Sequence, residues 1–139
     1  MNKCSCYVLF MNMTIINLGQ ITAGFPSPAA DHEHNRLDLL QKLIKRPAST
    51  FVFEVQGVSM IQAGIMPGAW LVVDRSITPR NGHTVVAVVN SEFTVKRFGY
   101  QNNHPALFSA NKQYAPILFK EFDELEIWGV ATYCINPLI

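Results

Sequence analysis

The sequence predicts a mainly β protein: a folded-over sandwich or barrel of about seven short strands, with one short N-terminal helix and a flexible N-terminal arm. Three observations carry this expectation. Nine Phe, four Tyr and two Trp fall among short β-branched runs, a composition that suits pleated, half-buried surfaces. Apolar residues recur at period two through much of the second half of the chain. Turn signals separate the runs at Pro67-Gly68, Thr78-Pro79 with Asn81-Gly82, and Asn102-Asn103 with Pro105.

Taken in order, residues 1–31 read as the arm. Pro26 and Pro28 within Gly24–Asp31 remove backbone donors and favour extended conformations in the residues before them. From Asn35 to Arg46 the apolar positions Leu37, Leu40, Leu43 and Ile44 recur at helical spacing, and Pro47 ends the element. This predicts an amphipathic helix covering a sheet edge. The period then changes to two. Phe51, Phe53 and Val55 alternate with Val52, Glu54 and Gln56, a strand closed by Gly57. Trp70–Val73 is an apolar strand ended by Asp74. Thr84–Val89 and Glu92–Phe98 flank Asn90-Ser91, a two-residue hairpin connection. Ala106–Ser109, Ile117–Phe119 and Leu125–Ile135 complete the set. The division expected is therefore an arm over 1–31 and a β-rich domain over 32–139.

With 139 residues, 49% hydrophobic and 15% charged, the chain can build one real core, and global disorder is excluded. Eleven basic and ten acidic residues are interspersed. That is not the clustered basic face on which phosphate contacts depend, so direct sequence-specific DNA binding is not expected. Cys4, Cys6 and Cys134 form an odd, unpatterned set, which fits neither a disulfide framework nor a metal site and points to a reducing cytoplasm. The apolar stretch after Met1-Asn2-Lys3 faintly resembles a secretory signal. Asn12, Thr14 and Asn17 interrupt it, and no run approaches the ~20 apolar residues of a membrane span. Neither a metal nor another cofactor is called for.

The candidate chemistry begins at Gly57-Val58-Ser59-Met60. A serine just before a short helix lies near unpaired backbone N–H groups, which can stabilise the oxyanion of a tetrahedral intermediate. Ser59-x-x-Gln62 is equally a capping box, in which the serine is only a helix cap, and on this motif alone capping is the commoner reading. A nucleophilic serine needs a base. His32, His34, His83 and His104 show no distinctive partner pattern, and His32-x-His34 lacks a third metal ligand. A lysine can serve if burial lowers its pKa. Lys96 stands among bulky apolar neighbours in Phe93–Phe98, but spacing alone does not single it out over Lys112.

The ordered set Gly57-Val58-Ser59-Met60, Pro67-Gly68, Val72-Val73-Asp74, Gly82, Val85-Val86-Ala87 and Phe93-Thr94-Val95-Lys96-Arg97 resembles the LexA/UmuD family of self-cleaving Ser–Lys proteases. Gly24–Asp31 is similar to the UmuD-type mutagenesis proteins, including plasmid-borne ones, and the likeness spans about residues 21 to 135. The resemblance implies Ser59 as nucleophile, Lys96 as general base, the backbone N–H groups of Val58 and Ser59 as oxyanion donors, and Ala23–Gly24 as the bond cut. It further implies a cytoplasmic bacterial protein of the SOS response whose cleavage is stimulated by the RecA filament on single-stranded DNA. The shortened homodimer would join a Y-family polymerase subunit in error-prone synthesis past lesions.

Three positions depart from the family's pattern. Ala69 and His83 stand where many relatives have aspartate after glycine, and Val58 replaces an aspartate of some UmuD-type members. Roughly 26 residues separate Gly24 from Thr50, a reach of ~85 Å when extended, so the chain can bring its own bond to the site or offer it to a partner. With no helix-turn-helix pattern before the core, a repressor carrying its own DNA-reading domain is not expected. Two rival readings remain open: a signal peptidase-like Ser–Lys protease, and a non-enzymatic interaction module of the same fold.

Overall fold

A computed structural model describes residues 14–25, 35–119 and 125–139, which fall into two compact units, Met1–Lys45 and Arg46–Ile139.

In the first unit, β1 (Thr14–Asn17) pairs antiparallel with β2 (Asn35–Asp38), and α1 (Leu39–Leu43) follows. This corrects the expected helix over Asn35–Arg46. Its first four residues are drawn into a strand ladder, and the Asp38 side chain then accepts from the Gln41 N–H at 3.2 Å, capping the helix at Leu39. The helix is one turn long and buries none of its residues, so the apolar periodicity there marks no core-facing stripe.

The second unit is one antiparallel sheet of seven strands: β3 (Thr50–Glu54), β4 (Trp70–Asp74), β5 (Thr84–Val89), β6 (Glu92–Gln101), β7 (His104–Phe108), β8 (Ile117–Leu118) and β9 (Glu126–Ile135). They are hydrogen-bonded in the order β3-β4-β9-β5-β6-β7-β8. The fold class expected from sequence is thus observed. The hairpin between β5 and β6 turns on Asn90 and Ser91, both at positive φ (50° and 65°), the twist that suits a two-residue connection.

At its centre the sheet buries both of its faces. Val86 joins Leu71, Val73, Val55, Met60 and Ile65 in one core cluster, while Val85 and Ala87 join Phe98, Leu107 and Val130 in another. Alternation along β5 therefore feeds two cores, which is why Thr84–Val89 reads as a continuous apolar run rather than a half-polar strand. The long strand β9 slips register against β4 at Val72/Val73 and against β5 at Val86/Ala87. Such irregularities bend a strand and let a sheet wrap over itself. Gly129 lies at this bend: a Cβ there would stand 2.6 Å from Val73 Cγ1, so only glycine lets the strands approach this closely.

Asp74 closes the end of β4 and is buried. It accepts from Arg46 Nε at 2.7 Å, Ser49 Oγ at 2.9 Å, Ser76 Oγ at 2.7 Å and the Ser76 N–H at 2.8 Å. The segment before β3 is thereby tied to β4, an arrangement completed by the Arg75 N–H donating to the Ser49 carbonyl at 2.8 Å.

Candidate active site

Ser59 is positioned by its neighbours on either side. Gly57, at φ +87°, turns the chain out of the preceding strand. Met60 is buried in the first core cluster and anchors the far side. A single 3-10 turn, Ile61–Ala63, follows, and it has no side-chain cap. The capping-box reading of Ser59-x-x-Gln62 is thus not realised. The Ser59 hydroxyl instead meets Lys96, with Nζ 2.7 Å from Oγ.

Lys96 lies on β6 opposite Val85 of β5. Alternation sends Val95 towards the first core cluster and leaves Lys96 on the face of Val85 and Phe98. The lysine is only 8% exposed. Burial pulls its pKa down from the usual lysine range, because an ammonium loses hydration that apolar neighbours do not replace. Among the described residues it has no carboxylate partner; its other polar neighbour is the Tyr114 ring, with the centroid 5.8 Å from Nζ. Lys112, indistinguishable from it by spacing, is exposed.

Neither the Val58 nor the Ser59 N–H has a hydrogen-bond partner among the described residues, whereas the Val58 carbonyl accepts from Asn111 Nδ2 at 2.9 Å. Asn111 is buried and escaped the sequence reading. Its residue type is ordinary for a turn, and its partner lies 53 positions away. Among the described residues, β6 between Glu92 and Lys96 pairs with β5 alone, since its pairing with β7 starts only at Arg97. The free edge borders a groove of about 360 Å³ lined by Phe93, Thr94, Lys96, Ser109, Tyr114 and Ile117. An unpaired strand edge of this kind can take an extended peptide as an added strand.

The remaining candidates scatter. Ala23 and Gly24 are exposed at a bend in the first unit. His83 Nδ1 accepts from the Arg80 N–H at 3.2 Å, so the histidine that departs from the family's aspartate still closes its turn. Ala69, the other departure, is fully buried in the core. His104 is exposed on β7. His32, His34, Cys4 and Cys6 lie outside the described residues. Cys134 is unpaired and partly buried, and burial raises its thiol pKa, which makes it a poor nucleophile. No group of three or more metal-ligating side chains occurs among the described residues, and no described helix is long and apolar enough to cross a membrane.

Residues 15–132 match the Peptidase S24-like family. The chain belongs to it. This is the LexA/UmuD group of self-cleaving serine proteases. Among curated relatives, protein ImpA of Shigella flexneri is 52% identical over 116 residues, covering 82% of this chain and 77% of ImpA. Protein SamA of Salmonella typhimurium strain LT2 is 44% identical over 114 residues, 82% and 79% of the two chains. Protein MucA of Escherichia coli is 41% identical over 120 residues, 85% and 81% of the two chains. The S24 match embraces both Ser59 and Lys96 as well as the Ala23–Gly24 bond.

Proposed function

We propose that this S24 peptidase cuts its own Ala23–Gly24 bond with Ser59 as nucleophile and Lys96 as general base. The observation that carries the reading is the 2.7 Å contact between the Ser59 hydroxyl and a buried amine that has no counter-ion among the described residues. A lysine in water is almost wholly protonated at neutral pH and cannot accept a proton. An apolar setting favours the neutral amine, which can.

Neutral Lys96 takes the Ser59 proton as Oγ attacks the Ala23 carbonyl carbon. Negative charge develops on the carbonyl oxygen, and the N–H groups of Val58 and Ser59, both without partners among the described residues, are the donors at hand to receive it. As the tetrahedral species collapses, the C–N bond breaks and Lys96 returns the proton to the Gly24 nitrogen. Water, deprotonated by Lys96, then hydrolyses the acyl-enzyme, leaving residues 24–139 as the processed form. The open edge of β6 beside Lys96 offers backbone groups along which the segment around residue 23 can be held in an extended conformation.

Family membership supports a role in bacterial SOS mutagenesis. In this reading the RecA filament on single-stranded DNA stimulates cleavage. The processed homodimer then serves in the cytoplasm as accessory subunit of a Y-family translesion polymerase.

The test is intact-mass analysis of full-length protein incubated with RecA filament. Wild type is expected to lose its first 23 residues, while Ser59→Ala and Lys96→Ala stay whole. A Ser59→Ala protein cut at the wild-type rate would overturn the assignment. Wild-type protein that stays whole, with filament or at about pH 10, would favour the non-enzymatic module.

A further inference from the structure

The segment Ser109–Tyr114, which leads from β7 towards β8, touches the surroundings of both Ser59 and Lys96. The Ala110 N–H donates to Met60 Sδ at 3.3 Å, and the Ala110 carbonyl accepts from the Gln62 N–H at 2.8 Å. Tyr114 faces the Lys96 amine. Between these contacts, Asn111 donates from Nδ2 to the Val58 carbonyl at 2.9 Å and accepts at Oδ1 from the Gln113 N–H at 3.0 Å. Only one orientation of the amide satisfies both neighbours: rotated by half a turn, it would set oxygen against oxygen and N–H against N–H. The side chain is buried, so the mismatch could not be relieved cheaply by water.

The Val58 carbonyl and the Ser59 N–H are two ends of one peptide unit. That unit is planar and trans, so its C=O and N–H point in opposite directions. Holding the carbonyl towards Asn111 therefore aims the Ser59 N–H away from it. Met60 anchors the chain after Ser59, but little on the Val58 side holds this plane. Gly57 precedes it at positive φ, Val58 is exposed, and the other donor to its carbonyl is the Ile61 N–H at a long 3.3 Å. We propose that Asn111 is a positioning residue for the oxyanion site, fixing the Val58–Ser59 peptide so that the Ser59 N–H stays directed at the carbonyl being cut. This rests on the reading of Ser59 as nucleophile.

A merely structural role would disturb nucleophile, base and oxyanion donors together; the proposed role affects only the donors. The experiment compares two rates in full-length protein. One is self-cleavage at alkaline pH. The other is alkylation of the cysteine in Ser59→Cys by iodoacetamide, followed by peptide mass, a displacement that develops no oxyanion. Asn111→Ala is expected to slow self-cleavage about 10- to 100-fold, by loss of an aimed donor, with the midpoint of the pH profile unmoved. The same substitution in Ser59→Cys should leave alkylation within about threefold of its parent. Asn111→Asp, of the same shape but with oxygen facing oxygen, should slow cleavage at least as much, and it carries the test if the alanine variant melts early. Cleavage within about threefold of wild type in both variants would overturn the proposal, as would parallel loss of cleavage and alkylation. If Ser59→Ala still cleaves, the nucleophile assignment itself falls, an outcome distinct from either.

Discussion

Asp74 and Lys96 are both ionisable and buried, and both lie on strands of the same sheet, yet their surroundings treat them in opposite ways. Burial works against the charge of each. For Asp74 it would raise the pKa, but donors from Ser76, Arg46 and Ser49 outweigh it and hold the carboxyl well below the usual carboxylate range. For Lys96 burial acts unopposed and the pKa falls. A buried charge furnished with partners is a staple. A buried amine with one hydroxyl against it is drawn towards neutrality, and so towards proton transfer. The difference separates a region of the sheet that holds shape from one that can do chemistry.

The largest expected effect lies at the unopposed amine. On the proposed mechanism, Lys96→Ala should lower the cleavage rate by at least about 10³-fold, since the hydroxyl would lose its base. In wild type the rate should climb with pH, because only neutral Lys96 accepts a proton, and level off above its lowered pKa. Rate constants from about pH 6 to 10 check this, and a flat profile would erase the contrast with Asp74 by showing that no lysine titrates in the reaction.

At the satisfied carboxylate the effect should fall on stability alone. Asp74→Asn keeps the shape but forfeits charge-assisted bonds to Arg46 and the two serines, and should cost about 2 kcal/mol in denaturant melts at neutral pH. The folded pKa is depressed, so this stabilisation is present above the ordinary carboxylate pKa and fades as pH falls below it towards the folded value. Wild type and variant should therefore converge in acid. Cleavage rate at alkaline pH should be unchanged; a large loss there would mean that Asp74 and the dyad are not separable.

How much of this could be read from the sequence follows from how local each cause is. The seven strands of the main sheet and the Asn90-Ser91 hairpin were legible because period and turn chemistry act over a few residues. The pairing of Thr14–Asn17 with Asn35–Asp38 was missed: both strands are four residues long and partly polar, and the second carries the start of a helical pattern. Ser76, two residues after Asp74, is a local signal for a side chain bonded to nearby backbone and could have been found. Arg46 could not, being 28 positions away. The choice between Lys96 and Lys112 was equally closed to spacing. What buries Lys96 is strand β5 across the ladder and the Ser109–Tyr114 segment, and these are assembled only by the fold. The resemblance named the pair; the packing shows that Lys96 is buried against Ser59 while Lys112 is exposed.

The contrast can also be broken by giving Lys96 what Asp74 has. Thr94 lies two residues along β6, on the same face and in the same groove. Thr94→Asp places a carboxylate near the amine and should raise its pKa, shifting the rate profile to higher pH and lowering the rate at neutral pH about tenfold. A profile that stays in place would show that solvent in the groove screens the new charge.

The smallest effect expected has the opposite sign. An amine held in apolar surroundings is a cost to the fold, so Lys96→Met should stabilise the protein by about 1 kcal/mol at neutral pH while, on the proposed mechanism, abolishing cleavage. The lowered folded pKa means that the native state binds fewer protons than the unfolded chain between that value and the ordinary lysine pKa of 10.5. Wild-type stability should therefore rise with pH across that window, and the advantage of the methionine variant should shrink there. Ser59 is only partly buried, so its hydroxyl can turn to water when the amine is gone and should not cancel the gain. Chemical denaturation of both proteins at pH 7 and near pH 10 measures the difference directly. A methionine variant less stable than wild type at pH 7 would mean that the Ser59–Lys96 contact is a net support of the fold, and the distinction between the two buried groups would then be one of degree.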